Sequence, residues 1–545
     1  MLGRQFPRDR IAALLDGESI DLDAELAALE RSGVIHRKGG IGVDEFRFGE
    51  SLTQQVAYEG LLNRERRRLH DRVALLLLST EAELDATRIA RIGHHLSRGE
   101  DATRGVRTLL EAAENAMAIP VYGVAVRLYR EAWSLAEAAL DEGDRAADAD
   151  LERWALRAAC GLLHTVVVYS SGDVSAEEAV AARGIELAEK LGDKSALARL
   201  YADRGFVMAS AERERFAEGL GMIQRAVAIA EESGLPDERV RLWRDLCWAY
   251  LLDGRLEDAT RQIDATLAEL DRLGQSTART DVYMGARFFR ARVLYESDRV
   301  REAESYSRET HRLALEAHNS TVQSAVSSMV ASTLVLQGRY AESVEWSDRA
   351  LEVARRIESL PAVRSAMASR LIARVAGGNT SVGSEELEAL AGGLLTAGDM
   401  GLTVDQIIAA LLDVGEVERA HAVSETWKSR AGGRLREARI ALTRGEIALA
   451  RGLIGCMARA EGDLRDAIEL GSAIGLRSIV GRAQLGLARI ALARGQTKKG
   501  VKYAREAADL FAALELGHHA RRALALLAEP DEVRHGRSGE LGVAS

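Results

Sequence analysis

From about Thr103 onward, small and apolar residues stand at fixed offsets from a recurring turn residue. The turn markers are Gly254, Asp298, Gly338, Gly415, Gly452 and Gly495, with Gly172 as a looser member. Two positions after a marker comes an apolar residue (Leu256, Val300, Tyr340, Val417), and five after it a small one (Ala259, Ala303, Ser343, Ala420). Seven positions before the marker another small residue recurs: Cys247, Ala291, Ala331, Gly445 and Ala488. A glycine or aspartate at the marker accepts the left-handed backbone that ends a helix. The apolar residue plugs the turn, and the two small residues let the paired helices cross closely. The pattern predicts stacked helical hairpins, each unable to bury its apolar face without neighbours.

Successive markers from Gly254 are 44, 40, 77, 37 and 43 residues apart. The double step hides a degenerate turn near Gly377–Thr380, and a second hidden turn falls near Glu212–Glu214, between Gly172 and Gly254. The hexapeptide Ile-Ala-Leu-Ala-Arg-Gly occurs twice, at Ile447–Gly452 and Ile490–Gly495. A period near 40 gives nine or ten hairpins over residues 103–528. This pattern resembles the tetratricopeptide repeat, whose usual period is about 34 residues; HEAT and armadillo arrays run nearer 40–47, and the turn chemistry decides for the former. The expected fold is all-α: a right-handed superhelix of tetratricopeptide-like hairpins behind a small N-terminal winged-helix domain. The expected domains are 1–80 (winged helix and connecting helix), 81–530 (superhelix) and 531–545 (a disordered tail).

The first 80 residues leave the repeat. Pro7–Leu15 and Asp23–Ser32 read as short helices, the second apolar at Leu26 and Leu29 on one face. Alternating Val34, Ile35 and Phe46, Phe48 flank a glycine-rich turn and predict a β-hairpin. Helices over Leu52–Leu62 and Arg64–Leu78 follow. The strings Leu2-Gly3-Arg4-Gln5-Phe6-Pro7, Phe46-Arg47-Phe48, Leu52–Glu59 and Arg66-Arg67-Arg68-Leu69-His70 resemble the winged-helix segment of bacterial STAND-class regulatory ATPases. In that family the segment joins a nucleotide-binding domain to a tetratricopeptide superhelix, behind adenylate/guanylate cyclase domains or ahead of LuxR-type DNA-binding domains as in maltose-activator-like regulators. The resemblance covers about residues 2–80 closely and the rest through repeat architecture. It implies a regulatory arm whose superhelix takes an effector and controls an ATPase or cyclase domain, here in trans.

The departures from that family matter. Gly495-Gln-Thr-Lys-Lys-Gly500-Val-Lys502 lacks the Lys-Ser/Thr pair of a phosphate-binding loop and lies at a repeat turn. Where the family usually carries a phosphate-sensing histidine, this chain has Glu50, whose carboxylate repels phosphate. No phosphate-binding loop and no LuxR-type helix-turn-helix stands in these 545 residues, so the ATPase and output domains are expected to be absent. The chain is therefore expected to be no enzyme and to need no cofactor.

Composition narrows the partners. A net charge of −10 argues against a general nucleic-acid or anionic-membrane binder. Three separated cysteines (Cys160, Cys247, Cys456) fit a reducing compartment, and the longest early apolar run, Val73–Leu78, is too short to span a bilayer. Met1–Arg10 has no apolar secretory core, so the expected location is cytoplasmic. His94-His95 and His518-His519 are adjacent on helices and diverge by about 100°, so no metal site is expected of either pair.

Two candidate surfaces remain. The concave wall of the superhelix, lined by the first helix of each hairpin, is the expected groove for a protein or small effector. On adjacent first helices (239–252 and 283–297) Trp243, Arg244, Arg287 and Arg290 are candidate anchors there. On the last helix of the winged-helix segment, Arg64, Arg66, Arg67 and Arg68 form the densest basic run. They could contact DNA or an adjoining domain, although residues 1–80 balance acids and bases, which weighs against DNA.

Overall fold

The computed structural model describes residues 5–15, 20–38, 44–79, 86–100, 102–118, 122–141, 149–169, 177–211, 213–274, 276–357, 359–379, 383–396, 404–430, 432–452 and 454–528. Gly172, Pro120, Pro530 and the expected tail lie outside these residues. The chain divides into two compact units, Met1–Thr165 and Val166–Ser545. Almost all of it is helical, and no helix among the described residues is long and apolar enough to cross a membrane.

The first unit opens with strand β1 (Gln5–Pro7) and helices α1 (Arg8–Leu14) and α2 (Leu22–Arg31), then β2 (Ile35–Lys38) and β3 (Glu45–Phe48). Asp21 caps α2, its side chain accepting the Ala24 N–H at 3.2 Å. The strands form an antiparallel sheet in the order β1-β3-β2. Phe6 faces Phe46 in register, and both bury against Leu26 and Ile35. The expected hairpin is thus present, but it carries a third strand that the sequence pattern did not show. Pro7 ends β1 and stands as N-cap of α1, so the helix starts one residue later than expected. Helices α3 (Ser51–Glu59), α4 (Asn63–Ser79), α5 (Ala86–Leu96), α6 (Ala102–Ala118), α7 (Tyr122–Asp141) and α8 (Ala149–Tyr169) follow; α4 pairs with α5 and α6 with α7. The sheet and its helices make a small winged-helix-like element.

The second unit is a tetratricopeptide-like superhelix. Helix α9 (Glu178–Leu191) precedes eight antiparallel pairs. These are α10 (Lys194–Ala211) with α11 (Phe216–Glu232), α12 (Pro236–Leu252) with α13 (Leu256–Leu273), and α14 (Thr277–Glu296) with α15 (Val300–Glu316). Next come α16 (Ser320–Gln337) with α17 (Tyr340–Arg356), α18 (Leu360–Ala376) with α19 (Ser384–Thr396), and α20 (Val404–Asp413) with α21 (Val417–Arg430). The pairs α22 (Arg434–Ala450) with α23 (Ile454–Ala473) and α24 (Arg477–Ala493) with α25 (Thr497–Ala513) complete the array, and α26 (Gly517–Ala528) ends it.

All six markers adopt the left-handed conformation, Asp298 at φ 60° and the glycines between 64° and 85°. The degenerate turn uses Gly378, at φ 94°. At Gly254, Asp298, Gly338, Gly378, Gly415 and Gly495 the N–H after the marker closes on a carbonyl of the helix just ended, as Arg339 does on Leu334 at 2.8 Å. Ala259, Ala303, Ser343 and Ala420 are fully buried, as are Cys247, Ala291, Ala331 and Ala488. Their meeting is direct in one hairpin: Ser343 Oγ donates to the Ala331 carbonyl at 2.7 Å.

The superhelix closes on itself after five hairpins. Helix α12 packs against α22, and α16 against α26. The marker turns at Gly254, Asp298 and Gly338 sit against the start of the helix five hairpins on. A Cβ added at Gly254 would stand 3.4 Å from Arg434 Cβ at the start of α22 and 2.7 Å from Ile474 Cγ2 just after α23, and one at Gly517 2.5 Å from the Gln337 carbonyl oxygen. Arg301 Nε pairs with Glu515 at 2.6 Å along the same seam.

Candidate functional site

The first helices of six consecutive hairpins, α14 to α24 in steps of two, and the last helix α26 line an interior cavity of about 600 Å³. Its lining includes aliphatic side chains, Val335 and Leu336 of α16, Ile372 and Val375 of α18, Leu449 of α22 and Leu485 of α24. The lining also includes a cluster of charged side chains. Glu296 ends α14, Asp405 lies in the first turn of α20, Arg439 and Glu446 are on α22, and Arg482 is on α24.

These charges bridge the two superhelical turns. Arg439 Nη2 donates to Glu296 Oε2, and Arg292 Nε lies 3.0 Å from Glu296 Oε1. Arg482 holds Glu446 by a fork, Nε at 3.2 Å and Nη2 at 2.8 Å. Asp405 stands between the two guanidinium groups, 3.7 Å from Arg439 Nη1 and 3.6 Å from Arg482 Nη1. Gln406 donates its amide N–H to Tyr295 Oη. Glu296 has 1% and Asp405 6% of their surface exposed. Burial raises the Glu296 carboxyl, with Arg439 and Arg292 opposing it. Burial also pulls at Arg439, but Glu296 and Asp405 outweigh it and hold the guanidinium above its ordinary value.

Helix α26 also lines the cavity, with His518, His519 and Arg522. His518 Nδ1 and Tyr340 Oη share a hydrogen bond of 2.8 Å, and Arg522 Nη2 pairs with Asp413 at 3.2 Å. Burial, with Arg522, Arg482 and Arg521 nearby, lowers His518 to about 4, and burial holds His519 well below its ordinary value. Both rings are neutral at pH 7. Tyr340, expected to plug its own turn, also ties that turn to a helix 178 residues away.

The candidate anchors named from sequence lie elsewhere on the first helices. Trp243 Nε1 donates to Glu231 at 3.2 Å, and Arg239 covers its ring. Arg244 bonds Asp245 and lies over Phe289. Arg287 pairs with Glu309 at 3.0 Å, Arg290 with Asp264 at 2.7 Å, and both lie over Tyr306. The structure therefore gathers the three arginines around aromatic rings of α14 and α15, engaged with partners inside the array. In the first unit Arg64, Arg67 and Arg68 are exposed on α4, while half-buried Arg66 covers Tyr58.

The ionic residues that do line the cavity escaped the sequence reading. A signal existed: Arg439 and Arg482 both stand thirteen residues before their markers Gly452 and Gly495, one repeat apart. Among the described residues no group of three metal-binding side chains is assembled.

No protein-family model and no curated protein matches the chain. Among solved structures it is similar to a Rap protein complexed with Competence and Sporulation Factor, at 11% identity and a TM-score of 0.41, covering 75% of this chain and 99% of that one. It is similar to a STAND protein with a tetratricopeptide repeat sensor from Pyrococcus horikoshii, at 14% identity and a TM-score of 0.36, covering 77% of this chain and 63% of that one. A third is the Rap conjugation gene regulator of plasmid pLS20 in complex with the Phr* peptide, at 13% identity and a TM-score of 0.41, covering 75% and 97%.

Proposed function

We propose that the chain is a non-enzymatic signalling scaffold that takes a peptide, a protein segment or a small effector into the interior of its superhelix. The cavity supports this reading most: about 600 Å³ of space lined by both aliphatic and charged side chains, built from helices of both superhelical turns. Sites for amphipathic ligands combine an apolar surface with a few fixed polar groups in this way. The effector's arrival would alter how the turns sit on each other, and the winged-helix-like element would pass this to an ATPase or cyclase domain in trans. The resemblance of residues 2–80 to the STAND segment supports that last step.

The test fills the cavity. Ala409 lines it from α20, and Ala409→Trp should abolish uptake of short aliphatic peptides, measured by calorimetry, while leaving helical circular dichroism unchanged. Equal binding by the two proteins would remove the cavity from the function.

The exposed Arg64, Arg67 and Arg68 support a second reading, docking of the first unit on duplex DNA. It predicts binding that falls steeply with added salt, as phosphate contacts release counterions. No shift of duplex DNA at low salt ends it.

A further inference from the structure

A second cavity, of about 500 Å³, lies where α15 and α17 meet the start of α16, and shares no lining residue with the first. Its charged lining comes from one face of α17, where Arg349, Glu352 and Arg356 follow one another around successive turns. Both arginines are exposed, and among the described residues neither is paired with a carboxylate. Arg349 lies over the ring of buried Trp346, 4.8 Å from its centroid. Stacking fixes the guanidinium group while leaving its N–H groups free to donate. Two guanidinium groups against one carboxylate leave the lining net positive.

The uncharged lining points to a ligand independently. Gln323 of α16 is 6% exposed and lines the cavity. Its backbone is satisfied, the N–H by Asn319 and the carbonyl by Ser327 Oγ. Its side-chain amide makes no hydrogen bond among the described residues, and neither amide atom is sealed off by protein. So deeply set a donor gains little from bulk water, and a ligand acceptor would satisfy it. Ser320, the first residue of α16, also lines the cavity, so the positive end of an 18-residue helix adds to the field. Leu315, which is half exposed, and Val353 supply apolar surface in the same lining.

We propose that this second cavity binds a small organic oxyanion, a phosphate or carboxylate group on an apolar body, held by Arg349, Arg356 and the Gln323 amide. A ligand cation would meet two guanidinium groups and a helix N-terminus, with only Glu352 to set against them.

The test titrates the full chain with phenyl phosphate, benzoate and benzamide, the last a neutral isostere of benzoate, and reads affinity by ligand-observed NMR. At least one anion should bind at millimolar concentration, about tenfold or more tightly than benzamide. Phenyl phosphate above benzoate identifies a phosphate, and the reverse order a carboxylate. Arg349→Gln and Arg356→Gln should each weaken the better anion by about tenfold, with helical circular dichroism unchanged. Glu352→Gln removes the opposing charge and should tighten it by about two- to fivefold. Ala409→Trp, which fills the first cavity, should leave all these affinities unchanged, so this site is tested apart from the effector reading. Three results would overturn the proposal: benzamide binding as tightly as the anions, an Arg349→Gln/Arg356→Gln double variant that binds like wild type, or no anion binding at millimolar concentration. Loss of the anion in Ala409→Trp would place it in the first cavity and overturn the second as its site.

Discussion

Asp298 Oδ2 accepts the backbone N–H of Ser478 at 2.8 Å, across 180 residues of chain. Asp298 is the one marker of the six that is not glycine, and it holds a left-handed φ of 60°. Its side chain caps α24, whose N-cap residue Leu476 offers no side-chain acceptor of its own. The marker turn of one hairpin thus serves as the N-terminal cap of the helix five hairpins later.

Three substitutions separate these duties. Asp298→Ala loses the cap and keeps the strained φ, and should cost about 2 kcal/mol. Asp298→Gly also loses the cap but relaxes the backbone, and should cost about 1 kcal/mol. Asp298→Asn keeps an acceptor for Ser478 and tolerates the left-handed region, so it should stay closest to wild type. Urea unfolding followed by circular dichroism ranks them; Gly as stable as Asn would show that the cap is unimportant, and Gly below Ala that the left-handed backbone carries no strain.

The cross-turn pair Glu296–Arg439 gives a double-mutant test. Arg439→Met leaves Glu296 buried with a neighbour removed, and should cost about 3–5 kcal/mol. Glu296→Leu should cost a similar amount by stranding Arg439. The double variant should recover most of the loss, because a well-packed apolar pair avoids both desolvation penalties. Strictly additive costs would mean that the pair does not join the turns.

Glycine substitutions distinguish the seam from the turns. Gly495 has φ 72° and only open space where an added Cβ would stand, so Gly495→Ala should cost only backbone strain, about 1 kcal/mol. Gly517 has no positive φ, yet its added Cβ would lie 2.5 Å from the Gln337 carbonyl, which cannot move without α16. Gly517→Ala should therefore loosen the contact of α16 with α26 and raise the radius of gyration in solution scattering. An unchanged radius would contradict the closed seam.

Much of the array was legible because its cues are local. Gly254, Asp298 and Gly338 announce left-handed turns, and Ala259 with Cys247 announces a close crossing, each within a dozen residues. Strand β1 was not legible, since Gln5–Pro7 is too short to show a period and ends in proline. The contact of α12 with α22 depends on the rotation accumulated over five hairpins, which no single repeat encodes. For the same reason Glu296, Asp405 and Arg439 looked like ordinary helix charges. They become a site only when residues more than 100 apart meet.

Buried histidines should make the protein sensitive to mild acid. In the first unit Tyr58 Oη bonds His70 Nε2 at 3.0 Å, and His70 Nδ1 bonds His95 Nδ1 at 2.9 Å. His70 is 2% and His95 5% exposed. Burial, with neighbouring positive charge, lowers His70 to about 4 and His95 to about 3. A histidine whose folded value lies below the unfolded 6.5 costs nothing above that pH. As the pH falls below 6.5 the unfolded chain takes up protons that the folded chain refuses. Stability is then lost by at most about 1.4 kcal/mol per pH unit for each histidine, until the folded values near 4 and 3 are reached. His95→Asn keeps an uncharged partner for His70 and removes one titration. Its urea midpoint should therefore fall less than that of the wild type between pH 7 and pH 5. Parallel losses in the two proteins would mean that His95 is free to take up a proton in the folded chain.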